Sequence, residues 1–127
     1  DEEMCILSCL QLYAIHQQGE DLCVATTEDG YSNVGTSLKL LRVGDDATAV
    51  DRRFNAMITS TDFDELIVHL RHLIRLLKSK QKGARIDYAR LADDLYWIRK
   101  NKNKENIILN WAREYYKFNS KGESNEQ

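Results

Sequence analysis

The sequence predicts an all-α protein, a compact helical bundle of about six helices, as one unit or as two small helical subdomains. The 127 residues contain no proline and only 6 glycines, so few positions interrupt a helix. Charged residues make up 30% of the chain and apolar residues 43%, a mixture typical of amphipathic helices. Apolar residues also recur at helical spacing in successive segments. These three observations favour a chain of helices over a turn-rich β fold.

The amino-terminal elements are predicted to be three helices with one long loop. A helix over residues 3–18 precedes an acidic loop over about 19–35, which has no sustained period. A short helix then begins at Thr36 or Ser37 and ends at Gly44, and Asp45 or Asp46 caps the next helix. The apolar stripes of the first and third helices are Ile6, Leu10, Tyr13 and Ala14, and Val50, Phe54 and Met57.

The longest helix is predicted from about Asp62 to Lys80, after capping signatures at Thr61 and Asp62. Asp87 caps the next helix, and the basic linker 99–104 leads into the last one. The inward positions of these three helices are Leu66, Leu70, Leu73 and Leu77; Leu91, Leu95 and Ile98; and Ile107, Ile108, Trp111, Tyr115 and Phe118. Tyr116 lies off that stripe and is expected to be exposed.

Charge divides the chain into an acidic and a basic part. Residues 1–65 contain 13 acidic and 4 basic side chains, and residues 66–117 contain 5 acidic and 13 basic ones, although the net charge is only -2. The expected parts are 1–59, an amino-terminal helical part with the acidic loop; 60–118, a carboxy-terminal helical part with a basic face; and 119–127, a flexible tail. Such asymmetry indicates polyanion binding by the basic part.

Little in the sequence indicates an enzyme, a metal site or a cofactor. Cys5 and Cys9 stand one helical turn apart, but no further ligands follow at a familiar spacing, so buried or half-buried reduced thiols are expected. The three histidines belong to no nucleophile signature, and no glycine-rich phosphate loop is present. The acidic first residues and the lack of a spanning apolar run favour a cytoplasmic location.

A basic stripe on the longest helix is the main functional signal. Arg71, Arg75, Lys78 and Lys82 fall within a narrow arc opposite the leucines. Many charge runs are only solvated faces, but like charges one turn apart repel each other, and most exposed faces mix the two signs. Arg99 and Lys100 extend the basic region into the next connection. A phosphate backbone would neutralise this stripe, so the pattern predicts nucleic-acid contact.

The segments "LQLYAIHQQ", "GTSLKLLR", "DRRFNAMITS", "ELIVHLRHLIRLLKSK", "IDYARLADDLYW" and "NWAREYY", in this order, resemble the CasB family, the small subunit of the type I-E CRISPR Cascade complex. The resemblance implies a non-catalytic, all-helical subunit beside the guide RNA and the backbone and large subunits, with a second copy of itself. It also implies binding of target DNA without sequence preference, stabilising the R-loop and its displaced strand.

By motif position, the resemblance implies DNA contacts at Arg53, Arg71, Arg75 and Arg113. The charge pattern alone adds Lys78, Lys82, Arg99 and Lys100. Two alternatives stay open: a helical protein–protein interaction module whose basic stripe docks an acidic partner, and a helix-turn-helix repressor.

Overall fold

The computed structural model describes residues 2–118 and confirms the all-α fold. Its helices are α1 (Glu2–Gln17), α2 (Val34–Leu38), α3 (Ala47–Ile58), α4 (Phe63–Lys80), α5 (Tyr88–Arg99) and α6 (Lys104–Tyr116). Two 3-10 turns, Lys39–Leu41 and Gly44–Asp46, join α2 to α3. The predicted tail, 119–127, lies outside the described residues. Within residues 2–118, no helix is both long and apolar enough to span a membrane.

The longest helix, α4, occupies the centre of the fold as its periodicity predicts. Its four leucines on one face are fully buried, and it packs against both α3 and α1. Asp62 is the N-cap, and its carboxylate accepts a hydrogen bond from the backbone N–H of Asp64. The predicted faces of α3 and α5 are also confirmed, with Val50, Phe54, Met57, Leu91, Leu95 and Ile98 buried.

The first helix buries a different face from the predicted one. Ile6 and Leu10 are 54% and 57% exposed, whereas the buried positions of α1 are Cys5, Cys9, Leu12 and His16. The two thiols lie against α5, where the Cys9 Sγ donates to the carbonyl oxygen of Tyr88 at 3.4 Å. Small, polarisable thiols allow the two helices to approach closely, so this face is buried in place of the bulkier stripe. Both cysteines are buried, as expected, and neither forms a disulfide within residues 2–118.

The connection over residues 19–35 is more ordered than the exposed loop that was predicted. A parallel bridge joins Ala25 to Ile86, and Val24, Thr26 and Asn33 are buried. Cys23, by contrast, is exposed in this connection, so the expectation of a buried or half-buried thiol does not extend to it.

The start of α2 differs from the prediction of a cap at Thr36 or Ser37. Asn33 is the N-cap, and its Oδ1 accepts a hydrogen bond from the backbone N–H of Gly35 at 2.9 Å. A Cβ at Gly35 would collide with the backbone carbonyl oxygen of Trp111, so glycine permits the close approach of α2 and α6.

The last helix buries most of the predicted stripe. Ile107, Trp111 and Tyr115 are buried, and Ile108 is partly buried against the core. Phe118 was predicted to point inward but is 80% exposed, because α6 ends at Tyr116 and the helical period no longer directs the chain. Tyr116 is exposed, as expected.

Candidate nucleic-acid interface

Two of the predicted site residues, Arg53 of α3 and Arg75 of α4, meet in an open groove between these helices. The groove has a volume of about 390 Å³, and its other lining residues are His72, Leu76 and Ser79. Both arginines are exposed. Within residues 2–118, no carboxylate lies within the 4.0 Å ion-pair distance of either arginine. We call this feature the α3–α4 groove.

The position of each arginine follows from the period of its helix. α3 turns Val50, Phe54 and Met57 into the core, and Arg53 lies at the edge of that buried face, next to α4. On α4, Arg75 follows His72 by three residues, so both side chains lie on one side of the helix. Sequence reasoning missed His72 as a groove residue, although its i, i+3 relation to Arg75 was a usable signal.

The predicted stripe on α4 is interrupted at Lys78. Its Nζ donates hydrogen bonds to the carbonyl oxygens of Ile15, at 3.0 Å, and Gln18. These are carbonyls at the carboxyl end of α1, where a cation is favoured by the helix dipole. Lys78 therefore fastens α1 to α4, and its charge is directed towards protein backbone.

The other end of the stripe also departs from the prediction. α4 ends at Lys80, so the helical period no longer sets the direction of Lys82. Lys82 lines a separate cavity with Glu20 and Asp21 of the acidic connection. Arg71, by contrast, lies on α4 one turn from Arg75, is half-buried, and has no carboxylate within ion-pair distance among residues 2–118.

Arg99 and Lys100 lie away from the α3–α4 groove. The Arg99 guanidinium stands 5.2 Å from the ring centroid of Phe63, and the Lys100 Nζ stands 5.5 Å from that of Tyr96. Phe63 begins α4, so twelve residues, roughly 18 Å of helix, separate it from Arg75. The structure therefore places these two bases at the opposite end of α4.

Arg113 is exposed on α6, and this helix is tied to α3 by a polar cluster. Arg42 donates to both carboxylate oxygens of Asp51 at 2.7 and 2.9 Å, and the Tyr115 hydroxyl donates to Asp51 Oδ1 at 2.7 Å. The Arg42 hydrogen bonds lower the pKa of Asp51 below its usual value. The ring of Tyr115 also stacks on Phe54, with centroids 3.8 Å apart. Arg113 is thus presented from a helix that is packed against α3, but it lies outside the α3–α4 groove.

Acidic side chains of the amino-terminal part neutralise two bases of the carboxy-terminal part. Lys80 Nζ lies 2.7 Å from Asp46 Oδ2, and Arg85 binds both oxygens of Glu28 at 3.0 and 3.1 Å. The charge separation along the sequence is therefore partly cancelled in the folded protein. The α3–α4 groove differs, because within residues 2–118 no carboxylate forms an ion pair with Arg53 or Arg75.

The sequence of the chain matches a known protein family. The model of the family described as CRISPR-associated protein Cse2 matches residues 1–116. The chain belongs to the Cse2 family. Members of this family are components of the Cascade complex of CRISPR defence. No curated protein is similar enough in sequence to count as a match.

Two solved structures resemble the chain over most of its length. The crystal structure of CasB from Thermobifida fusca is 26% identical with a TM-score of 0.76, covering 90% of this chain and 63% of that one. The crystal structure of M. ruber CasB is 23% identical with a TM-score of 0.77, covering 99% of this chain and 69% of that one, and supports the fold alone. The chain thus spans about two thirds of the length of each. The match to the Thermobifida fusca structure agrees with the resemblance to the CasB family inferred from the ordered motifs.

Proposed function

We propose that this chain is a non-catalytic small subunit of a type I-E CRISPR Cascade surveillance complex that binds DNA without sequence specificity. In this role it stabilises the R-loop by holding the displaced strand. The observation that carries the proposal is the α3–α4 groove, where Arg53 and Arg75 converge without a carboxylate partner within residues 2–118. Membership of the Cse2 family supports the biological setting.

The chemistry of the groove suits a phosphate backbone better than base edges. Guanidinium groups form bidentate, charge-assisted hydrogen bonds with phosphate oxygens, and the hydroxyl of Ser79 and the ring of His72 offer further polar groups. Contacts to phosphate fix a strand in place but carry no sequence information. In a guide-directed complex base pairing reads the sequence, so backbone affinity is sufficient for an auxiliary subunit.

The proposed contacts fall into two groups. Arg53, Arg71 and Arg75 form the primary site, in and beside the groove. The outlying residues, which would bind a strand only as it leaves this site, are Lys82, Arg99, Lys100 and Arg113. Lys78 contributes by fixing the position of α1. The proposed partners are the displaced DNA strand, the backbone and large subunits of Cascade, its guide RNA and a second copy of this chain.

The proposal is tested by binding of single-stranded and duplex oligonucleotides to the free chain and to the assembled complex over a range of salt concentrations. We expect equal affinity for unrelated sequences and a log-log salt slope of about -2 for a single strand, because three contacts each contribute about 0.7. Affinity that depends on one particular sequence would contradict the proposal and would favour a helix-turn-helix repressor.

A helical interaction module that docks an acidic protein is the second candidate. It is favoured by one observation, the pairing of Lys80 and Arg85 with carboxylates of the acidic part, which shows that this basic region accepts acidic side chains. A chain that binds no oligonucleotide at low salt but co-purifies with its assembly partners would support this candidate and reject DNA binding.

A further inference from the structure

The first helix carries large apolar side chains on its solvent face as well as on its buried face. Cys9 and Leu12 pack into the core, while four exposed side chains form what we call the α1 apolar face: Met4, Ile6, Leu7 and Leu10. Glu3 and Gln11 are exposed on the same side of the helix, but four large apolar side chains at adjacent exposed positions are typical of an interaction site. The composition of α1 therefore indicates that its outer face is covered by a partner.

An open groove continues this surface onto α5. It has a volume of about 380 Å³, and it lies between Ile6 of α1 and Ala92, Tyr96 and Trp97 of α5. The Trp97 side chain is 39% exposed, and its ring meets that of Tyr96 edge to face with centroids 5.0 Å apart. A partly exposed tryptophan in a fixed orientation beside apolar side chains is typical of a protein-binding hot spot.

A polar cleft lies on the other side of Asp93 and Trp97, which line both features. Its volume is about 330 Å³, and its floor contains Asp94, which is only 6% exposed. Asp94 Oδ2 accepts a hydrogen bond from Trp111 Nε1 at 2.9 Å, and Oδ1 forms a longer ion pair with Arg90 Nε at 3.6 Å. Burial raises the pKa of Asp94, so a further cation in the cleft would stabilise its charged form.

The charges around these two features differ from those of the α3–α4 groove. Glu2 and Asp93 line the apolar groove, and Asp93 and Asp94 line the polar cleft with Arg90 as the one base among its lining residues. Lys100 stands over the ring of Tyr96, which lines the apolar groove, and Arg99 and Lys100 both act electrostatically on Cys5 of that groove. The excess of carboxylates is therefore confined to the polar cleft, where Asp93 and Asp94 outnumber Arg90. Carboxylates at these positions repel phosphate and attract a cationic side chain.

We propose that the α1 apolar face and the α5 groove form a docking surface for an amphipathic helix of a protein partner, with an arginine of that helix in the polar cleft. Arginine fits better than lysine because its planar guanidinium can stack on Trp97 while it donates to Asp93 and to Oδ1 of Asp94. This surface lies on the α1–α5 side, whereas the primary DNA contacts Arg53, Arg71 and Arg75 lie on α3 and α4; of the outlying contacts, Arg99 and Lys100 lie beside it. The inference therefore stands whether or not the chain binds DNA.

The probe for this surface is a synthetic helical peptide with leucines spaced i, i+3, i+4 and i+7 and one arginine after the last leucine. Its binding to the full chain is followed by fluorescence anisotropy, with a matched peptide that carries glutamate in place of arginine. We expect saturable binding of the arginine peptide and a loss of affinity of about tenfold or more for Ile6→Glu. Leu109→Glu, a similarly exposed apolar position on α6, is the matched control and should leave binding unchanged.

A charge exchange tests the polar cleft separately. Asp93 is exposed, so Asp93→Arg should preserve the fold. It should lower the affinity for the arginine peptide and raise the affinity for the glutamate peptide. The proposal is overturned if the arginine peptide does not bind, if Ile6→Glu and Leu109→Glu behave alike, or if Asp93→Arg leaves the preference unchanged. It is also overturned if the chain binds no peptide but self-associates, and Ile6→Glu abolishes this self-association. A second copy of the chain would then be the occupant of the docking surface. Competition of an oligonucleotide with the peptide that persists when Arg99 and Lys100, the proposed DNA contacts beside the α5 groove, are replaced by alanine would equally reject a protein site here.

Discussion

Alanine substitution of both Arg53 and Arg75 should weaken single-stranded DNA binding about 25-fold at 0.1 M salt. The two side chains line one groove without a carboxylate partner within residues 2–118, so each is expected to neutralise one phosphate. A single-strand contact contributes about 0.7 to the log-log salt slope, which corresponds to about fivefold in affinity between 1 M and 0.1 M salt. Two contacts multiply to about 25-fold and reduce the slope by about 1.4.

The assay is a titration of a labelled oligonucleotide at several salt concentrations, repeated with an unrelated sequence. Arg52→Ala is the matched control, because Arg52 is exposed on the same helix but is rotated by about 100° from Arg53, away from the groove. It should change affinity less than twofold, which is below the effect of one contact. Unchanged affinity and slope in the double variant, or an equal loss in Arg52→Ala, would refute the assignment of the groove.

Three further predictions concern stability. Gly35→Ala should destabilise the fold by about 3 kcal/mol or more in chemical denaturation, because its Cβ meets the carbonyl oxygen of Trp111; a change below about 1 kcal/mol would contradict the close approach of α2 and α6. Asp51→Ala should lower the free energy of unfolding by about 3 kcal/mol, because Arg42 loses two hydrogen bonds to a charged group. An unchanged free energy of unfolding would show that the pair of Arg42 and Asp51 does not stabilise the fold. Burial lowers the pKa of His16, so the free energy of unfolding should have its full value above about pH 6.5 and should fall as the pH drops below it. The variant His16→Gln should show a smaller fall. An unchanged pH profile in this variant would exclude His16 as the source of the fall.

Helix periodicity predicted most of the fold because one face of most helices is much more apolar than the other. The leucines of α4 all lie on one face, so only that face could be predicted to be buried. The caps at Asp62 and Asp87 indicated where α4 and α5 begin. α1 was the exception, since apolar side chains surround it and the period alone did not select a face. The cysteines were buried because they fit against the backbone of α5, which is a property of the helix pair and cannot be read from α1 alone.

The candidate site was predicted in part, for a related reason. Motif and charge pattern identified Arg53 and Arg75 separately, but only the packing of α3 on α4 shows that they share a groove. The same pattern included Lys78, whose ammonium group instead caps carbonyls of α1. A linear pattern gives the direction of a side chain from its own helix and does not show which neighbouring helix end lies within its reach.

The most direct test of the account is protection of the displaced strand in an assembled Cascade complex bound to matched target DNA. Chemical probing of unpaired thymines should show a protected displaced strand with the natural chain. The strand should be markedly more reactive when Arg53, Arg71 and Arg75 are all replaced by alanine, with no loss of this chain from the complex. Equal protection by the triple variant and the natural chain would contradict the claim that these arginines hold the strand.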